Sequence, residues 1–184
     1  MSYFPAYLKI DDKEILIVGG GKIATDKLRH LLDFTSKITL LSKEYDQDIL
    51  ELSQTNGIKT IQKIYEKGDI DSFDIVIVAI DDIEKQKEIY LEAKSKKILC
   101  NSVDAVEYCD FIFPSYIKKG ELTIAVSTSG ASPAVAKYLR RFIEKFIPKD
   151  IEKFLLEMKS LREKLPKGRE RMEFLDKKAK EFFK

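Results

Sequence analysis

Three short stretches of the chain bring together residue types that can do chemistry. The first is Gly19-Gly20-Gly21-Lys22-Ile23-Ala24, which fits G-x-G-x-x-G/A directly after an apolar run and at the start of a helical pattern. In that setting the first glycine permits a tight turn, Gly21 lets the backbone approach a pyrophosphate, and Ala24 is small enough for helix to meet strand. A glycine turn that holds no dinucleotide remains open from these residues alone. The partner for a ribose is less sharply drawn, because the next strand ends Leu41-Ser42-Lys43-Glu44 and the carboxylate comes two residues late. Ser42 or Glu44 can take the hydroxyls, while Lys43 can equally accept a 2′-phosphate.

The second stretch is Asn101-Ser102-Val103-Asp104, which follows a predicted fifth strand at the carboxyl edge of a sheet, where such folds bind ligands. Asp104 there acts as a base or merely caps its turn. The third is Ser127-Thr128-Ser129-Gly130-Ala131-Ser132-Pro133, which puts hydroxyls, a glycine and backbone N–H groups at a helix start, with Lys137, Arg140 and Arg141 in its first turns. That combination suits an anion. Its plainer counterpart is a capped helix with a basic solvent face.

The elements that must position these residues are read from hydrophobic period. Residues 14–18, 37–41, 58–64, 74–79 and 98–100 form short apolar, β-branched runs, and they alternate with helical patterns that follow the glycine turn and cover 46–54 and 84–96. Strands alternating with helices in this way predict a Rossmann-type α/β fold with a doubly wound parallel sheet over residues 1–113. The pattern then changes. Residues 111–117, a turn at 118–120 and residues 121–126 read as a hairpin, with Pro114 placing its first strand at an edge or a bulge. Ser132-Pro133 opens a helix with an N-cap and a proline at its first position, completing a region at 114–148 assigned to dimerisation and substrate binding. Helices at 149–165 and 169–183, split by Pro166-Lys167-Gly168, make a C-terminal helical region at 149–184. Its apolar positions exceed what two short helices cover, which points to packing on a partner subunit.

Composition narrows the classes. Residues 1–113 carry 15 Lys and Arg against 21 Asp and Glu, and residues 114–184 carry 18 against 10, so the halves stand near −6 and +8. A polyanionic ligand of the second half would account for the imbalance. Aromatics are not interleaved with arginines, so nucleic acid is not an expected partner. No apolar run approaches the roughly 20 residues of a spanning helix and no signal-like segment opens the chain, so no membrane is expected and the cytoplasm is the default. Cys100 and Cys109 make no disulfide framework, the lone His30 lies beside the apolar positions of its helix, and no metal site is expected.

Taken in order, these stretches resemble the precorrin-2 dehydrogenase family, which occurs alone or fused to a methyltransferase in sirohaem synthase. The resemblance rests on Tyr3-Phe4-Pro5 before a strand, on Val18 to Ala24, on Ala79-Ile80-Asp81-Asp82, on Asn101-Ser102-Val103-Asp104-Ala105, on Phe111-Ile112-Phe113-Pro114-Ser115 and on Ser127 to Pro133. It covers about residues 3–148. It implies NAD as cofactor, oxidation of precorrin-2 to sirohydrochlorin, a homodimer, and, as in some members, insertion of iron as Fe2+. It matches Asp104 to a proposed catalytic aspartate, puts Lys22, Ile23, Lys43 and Glu44 at NAD-contact positions, and sets Asp81 beside the cofactor. Ile80 replaces the family's usual threonine, and Thr128 stands where some members have serine. Against stand-alone members the chain is expected to end early, with no methyltransferase following. A binding module that holds dinucleotide or tetrapyrrole without turnover is the alternative of a different class.

Overall fold

The computed structural model describes residues 3–184, which divide after residue 113 into two compact units. In the first, β1 (Ile15–Val18), β2 (Ile38–Ser42), β3 (Lys59–Gln62), β4 (Ile75–Val78) and β5 (Leu99–Ser102) form one parallel sheet of order β3-β2-β1-β4-β5. Ile15 pairs with Ile38 on one side and Ile75 on the other, so β1 is central. Every residue of β1 and β4 is buried, as strands covered on both faces must be.

The alternation along β1 divides the core. Ile15 and Ile17 face α1 (Lys22–Leu32) and α2 (Gln47–Asn56) through Ala24, Leu28, Leu31 and Ile49. Leu16 and Val18 face α3 (Ile83–Ser95) through Ile89 and Ala93. The chain leaves β1 toward β2 and β3 and later returns to the other side of β1 with β4. The strand order therefore reverses at the carboxyl ends of β1 and β4, where this class of sheet opens a crevice.

Residues 3–10 contain no strand, so the first strand after Tyr3-Phe4-Pro5 is β1. The segment after β5 also departs from expectation. A 3-10 turn at Val106–Tyr108 leads to an antiparallel bridge between Asn101 and Cys109, and the Asp110 carboxylate accepts from Cys100 N–H at 2.9 Å. Phe111 and Phe113 then pack against the core on the α1 face instead of entering the hairpin. The hairpin strand begins only after Pro114.

In the second unit, β6 (Ser115–Lys119) and β7 (Leu122–Val126) form that hairpin, closed by Gly120 at φ +55°. Helix α4 (Pro133–Glu144) packs on both strands, and α5 (Ile151–Lys164) and α6 (Arg169–Phe182) pack on each other through Phe154 and Phe182, stacked 3.9 Å apart. Ile117, Val126, Ala136 and Ile151 are its buried apolar side chains. Among the described residues no helix is long and apolar enough to cross a membrane.

Candidate functional site

The glycine turn lies at the reversal point and its three glycines differ. Gly19 takes φ +131°, and a Cβ there would lie 2.2 Å from the Ala79 carbonyl oxygen at the end of β4. A Cβ on Gly20 would lie 2.0 Å from the Glu44 carbonyl oxygen. Both positions are closed by the protein itself, because Gly19 N–H donates to Leu41 O at 2.9 Å and Asp46 N–H donates to Gly20 O at 2.8 Å. Gly21 is open. A Cβ there would meet nothing nearer than the Asp46 carboxylate at 3.8 Å.

Gly21 is also the N-cap of α1, with no side-chain cap and no acidic residue in the first turn. The helix start thus directs N–H groups and the positive end of its dipole at the space beside Gly21. Ala24 is fully buried against the sheet, while Lys22 and Ile23 are exposed next to the turn. This is a cradle that fits a pyrophosphate.

At the end of β2, Ser42 is half-buried, and its N–H donates to the Tyr45 hydroxyl at 3.0 Å, a group that also lies 2.7 Å from Ile61 O. Lys43 and Glu44 are exposed and pair with each other at 3.6 Å. The carboxylate that comes nearest to Gly21 is that of Asp46, which sequence reasoning used only as a helix start. Its side chain makes no capping bond to α2, a fact that no spacing rule reveals.

Across the crevice, Asp81 is exposed and Asp82 caps α3 by accepting from Lys85 N–H at 3.0 Å. Ile80, the departure from the family string, packs against the α3-side core, and its carbonyl accepts from the buried Gln86 amide at 2.6 Å. The methyl groups that replace a hydroxyl here are therefore held by the core.

Asp104 sits on the turn after β5, exposed and at φ +61°, a left-handed conformation that aspartate tolerates better than most residues. Val103 N–H donates to Val78 O at 2.9 Å and fixes the turn's start. Cys109 fixes its end, since its thiol donates to Ser102 O at 3.0 Å. Burial pushes the Cys109 thiol up from its ordinary value, so it serves as a neutral donor. The buried Cys100 thiol is pushed up to about 12 for the same reason. Neither cysteine is in a disulfide.

Lys27, on the second turn of α1, was not singled out by any sequence signal. Its ammonium stands 4.1 Å from the centre of the Phe113 ring and is half-buried. Burial holds it below the ordinary lysine range, against the pull of the Asp104 and Asp26 carboxylates. His30, one turn on, is exposed with its ring 6.3 Å from Phe113.

In the second unit the 127–133 loop uses most of its polar groups internally. The Thr128 hydroxyl accepts from Ser132 N–H and approaches Ser132 O, both at 3.0 Å, while Ser127 Oγ accepts from Ser129 N–H at 3.0 Å. Ser132 Oγ caps α4 by accepting from Val135 N–H at 3.3 Å. Ser129, at φ +52°, and Gly130 are exposed. Lys137 is exposed, Arg140 pairs with Glu144 at 2.6 Å, and Arg141 lies 5.8 Å from the Tyr138 ring.

A doubly wound sheet with an open-topped glycine turn at its reversal point defines a dinucleotide-binding α/β domain. Residues 6–115 match the family described as "Putative NAD(P)-binding", and the chain belongs to that family. Residues 119–145 match the central segment of sirohaem biosynthesis proteins. The sirohaem synthase of Methylococcus capsulatus is 39% identical over 148 residues, 80% of this chain and 31% of that protein. The sirohaem synthase of Pseudoalteromonas translucida is 34% identical over 151 residues, 82% and 32% respectively. The chain thus spans about a third of the length of these relatives. The solved structure of SirC, a precorrin-2 dehydrogenase, superposes with a TM-score of 0.80 at 23% identity, covering 95% of this chain and 88% of that one, and so shares the fold. The family resemblance read from the sequence is borne out by these matches.

Proposed function

We propose that the chain oxidises precorrin-2 to sirohydrochlorin in sirohaem biosynthesis, with NAD as the acceptor. The observation that carries this reading is Gly21: the protein closes the two glycine positions before it and leaves this one open at an uncapped helix start. The family match and the kinship with sirohaem synthases supply the substrate class.

NAD, when bound, would supply a two-electron acceptor for hydride. Gly19, Gly20 and Gly21 with the N–H groups of Lys22, Ile23 and Ala24 hold the pyrophosphate. Ser42, Lys43, Glu44 and Asp46 surround the ribose, and two carboxylates there favour hydroxyls over a 2′-phosphate, hence NAD over NADP. Asp81 borders the crevice at the end of β4. Asp104 accepts the proton released as the substrate loses hydride, so the substrate gives up one hydride and one proton, two electrons and two hydrogens in all, and the proton passes to solvent.

Ser127, Thr128, Ser129, Ser132, Lys137, Arg140 and Arg141 are assigned to the substrate's carboxylates, with Ser129, Lys137 and Arg141 the most accessible of them. The exposed stripe of Val135, Tyr138, Leu139 and Phe142 on α4, with Phe146 just beyond its end, supports a homodimer. Two cysteines outside any disulfide suit a reducing cytoplasm.

Incubation with precorrin-2 and NAD tests the function. Equal amounts of NADH and sirohydrochlorin are expected in the absorption spectrum, and binding of NAD without NADH formation would make the chain a binding module. A further change to the sirohaem spectrum on adding ferrous ion would extend the activity to chelation, with iron as substrate.

A further inference from the structure

We infer that Asp46, and not Glu44, is the residue that makes the cofactor site choose a free adenosine ribose over a 2′-phosphorylated one. The inference rests on the NAD reading above and deepens it, since that reading places two carboxylates around the ribose without dividing the role between them. Three features of the structure separate the two.

The first is how each residue meets the glycine turn. Asp46 N–H donates to Gly20 O at 2.8 Å, so the residue is anchored to the turn, and its carboxylate lies 3.8 Å from where a Cβ on Gly21 would stand. Glu44 meets the turn with its backbone instead, because a Cβ on Gly20 would lie 2.0 Å from the Glu44 carbonyl oxygen. Its side chain is 83% exposed. The second feature is charge. Glu44 pairs with Lys43 at 3.6 Å and Asp48 pairs with Arg29 at 3.8 Å, whereas no cation among the described residues pairs with Asp46. The third is a bond that Asp46 does not make. It holds the N-cap position of α2 with extended backbone, at φ −66° and ψ 154°, where an aspartate ordinarily accepts from an N–H of the first turn, yet its side chain makes no capping bond. A carboxylate that neither caps its helix nor pairs with a cation keeps its full capacity to accept.

What it accepts from follows from its place beside the open Gly21. The adenosine ribose adjoins the pyrophosphate and is read from the end of β2, the side from which Asp46 approaches the cradle. Ribose hydroxyls offer a carboxylate charge-assisted hydrogen bonds. A 2′-phosphate removes a donor and sets like charge against like, so the same side chain that favours NAD excludes NADP.

Titration calorimetry on the full chain tests this with NAD, NADP and an NAD analogue that carries 2′-deoxyadenosine. Wild type is expected to bind NAD the most tightly. Asp46→Ala is expected to raise the Kd for NAD about tenfold, to lower the Kd for NADP, and to bind the deoxy analogue as tightly as NAD. Asp46→Asn, which keeps an acceptor without the charge, should still favour NAD over the deoxy analogue while admitting NADP. Glu44→Gln should stay within about threefold of wild type for every ligand, because an exposed ion pair is worth little in water.

A preference for NAD over NADP that is retained in Asp46→Ala, or lost in Glu44→Gln, overturns the proposal, as does a wild type that binds NAD and NADP alike. Should Asp46→Ala fail to fold, an Asp46→Asn that still excludes NADP overturns it instead. The two readings fail separately. A wild type that binds neither dinucleotide removes the cofactor reading and this one with it, whereas tight NAD binding that is indifferent to residue 46 removes only the role of Asp46.

Discussion

Residues up to 113 and residues from 114 onward carry apolar side chains in comparable style but dispose of them differently. In the first unit the β1 and β4 runs and the inner positions of α1 and α3 are closed over by a five-stranded sheet with helices on both faces. In the second, Tyr138 and Phe142 of α4 and Phe146 just after it are 67%, 58% and 72% exposed, and Met172 of α6 and Phe183 at its end are similarly bare. A sheet buried on two faces completes its own core, whereas a two-stranded hairpin with three helices has too few layers to do so. The first unit is therefore where a precise site can be held, and the second is where another surface is needed.

The sharpest way to test the self-sufficiency of the first unit is within its glycine turn. Gly21→Asp should fold, because the new Cβ would meet nothing of the protein nearer than the Asp46 carboxylate at 3.8 Å. It should lose NAD binding completely in calorimetry, because its side chain would take the space and oppose the charge of the pyrophosphate. Gly19→Ala should instead lose about 3 kcal/mol of stability in denaturant unfolding, because its Cβ would collide with the Ala79 carbonyl. Normal NAD binding by Gly21→Asp would put the cofactor elsewhere.

For the second unit, replacing Phe142 and Phe146 together by lysine should raise a dimer dissociation constant by at least about 100-fold, as loss of two central aromatics does at interfaces. Light scattering reads it directly. A wild-type chain that is monomeric at micromolar concentration would refute the need for cover.

A smaller effect is expected from charge. Lys137→Glu and Arg141→Glu should each raise the KM for precorrin-2 about tenfold through roughly 1.4 kcal/mol of lost attraction, and added salt should mimic them in the wild type. Unchanged KM values would return these residues to a solvated face.

An effect of similar size concerns the clamp that ties the loop before β4 to α3. Burial raises the Glu92 carboxyl, but Lys96 at 2.7 Å, the Tyr65 hydroxyl at 2.8 Å and Gly68 N–H at 2.8 Å together leave it below its ordinary 4.5. A carboxyl lowered on folding contributes stability that is present above 4.5 and disappears as pH falls through the lower folded value. Glu92→Gln should cost about 1–2 kcal/mol at neutral pH, and its stability should vary less than that of the wild type in acid.

Much of the first unit was legible because its signals are local. The runs at 15–18 and 75–78 are apolar without alternation, which is the mark of a strand buried on both faces, and the glycine string declares its turn. Ser132 does cap its helix. What escaped depends on contacts between distant residues. Phe111 and Phe113 have strand-like composition, yet the Asn101–Cys109 bridge turns them onto the α1 face. Lys27 reads as a solvated helix residue until Phe113 arrives beside it, and Asp46 reads as a cap until its side chain is found near Gly21. The hydroxyls of 127–133 look available in sequence, and only the fold reveals that Thr128 and Ser132 engage each other.

The central claim is that the crevice of the first unit performs a dehydrogenation in which Asp104 takes the proton. Single-turnover formation of NADH from precorrin-2, followed by its absorbance in wild type and in Asp104→Asn with NAD affinity measured alongside, tests it most directly. The expected result is a rate lowered by about 10²–10⁴-fold at unchanged NAD affinity. A native rate in Asp104→Asn would contradict it and leave that aspartate as a residue that shapes its turn.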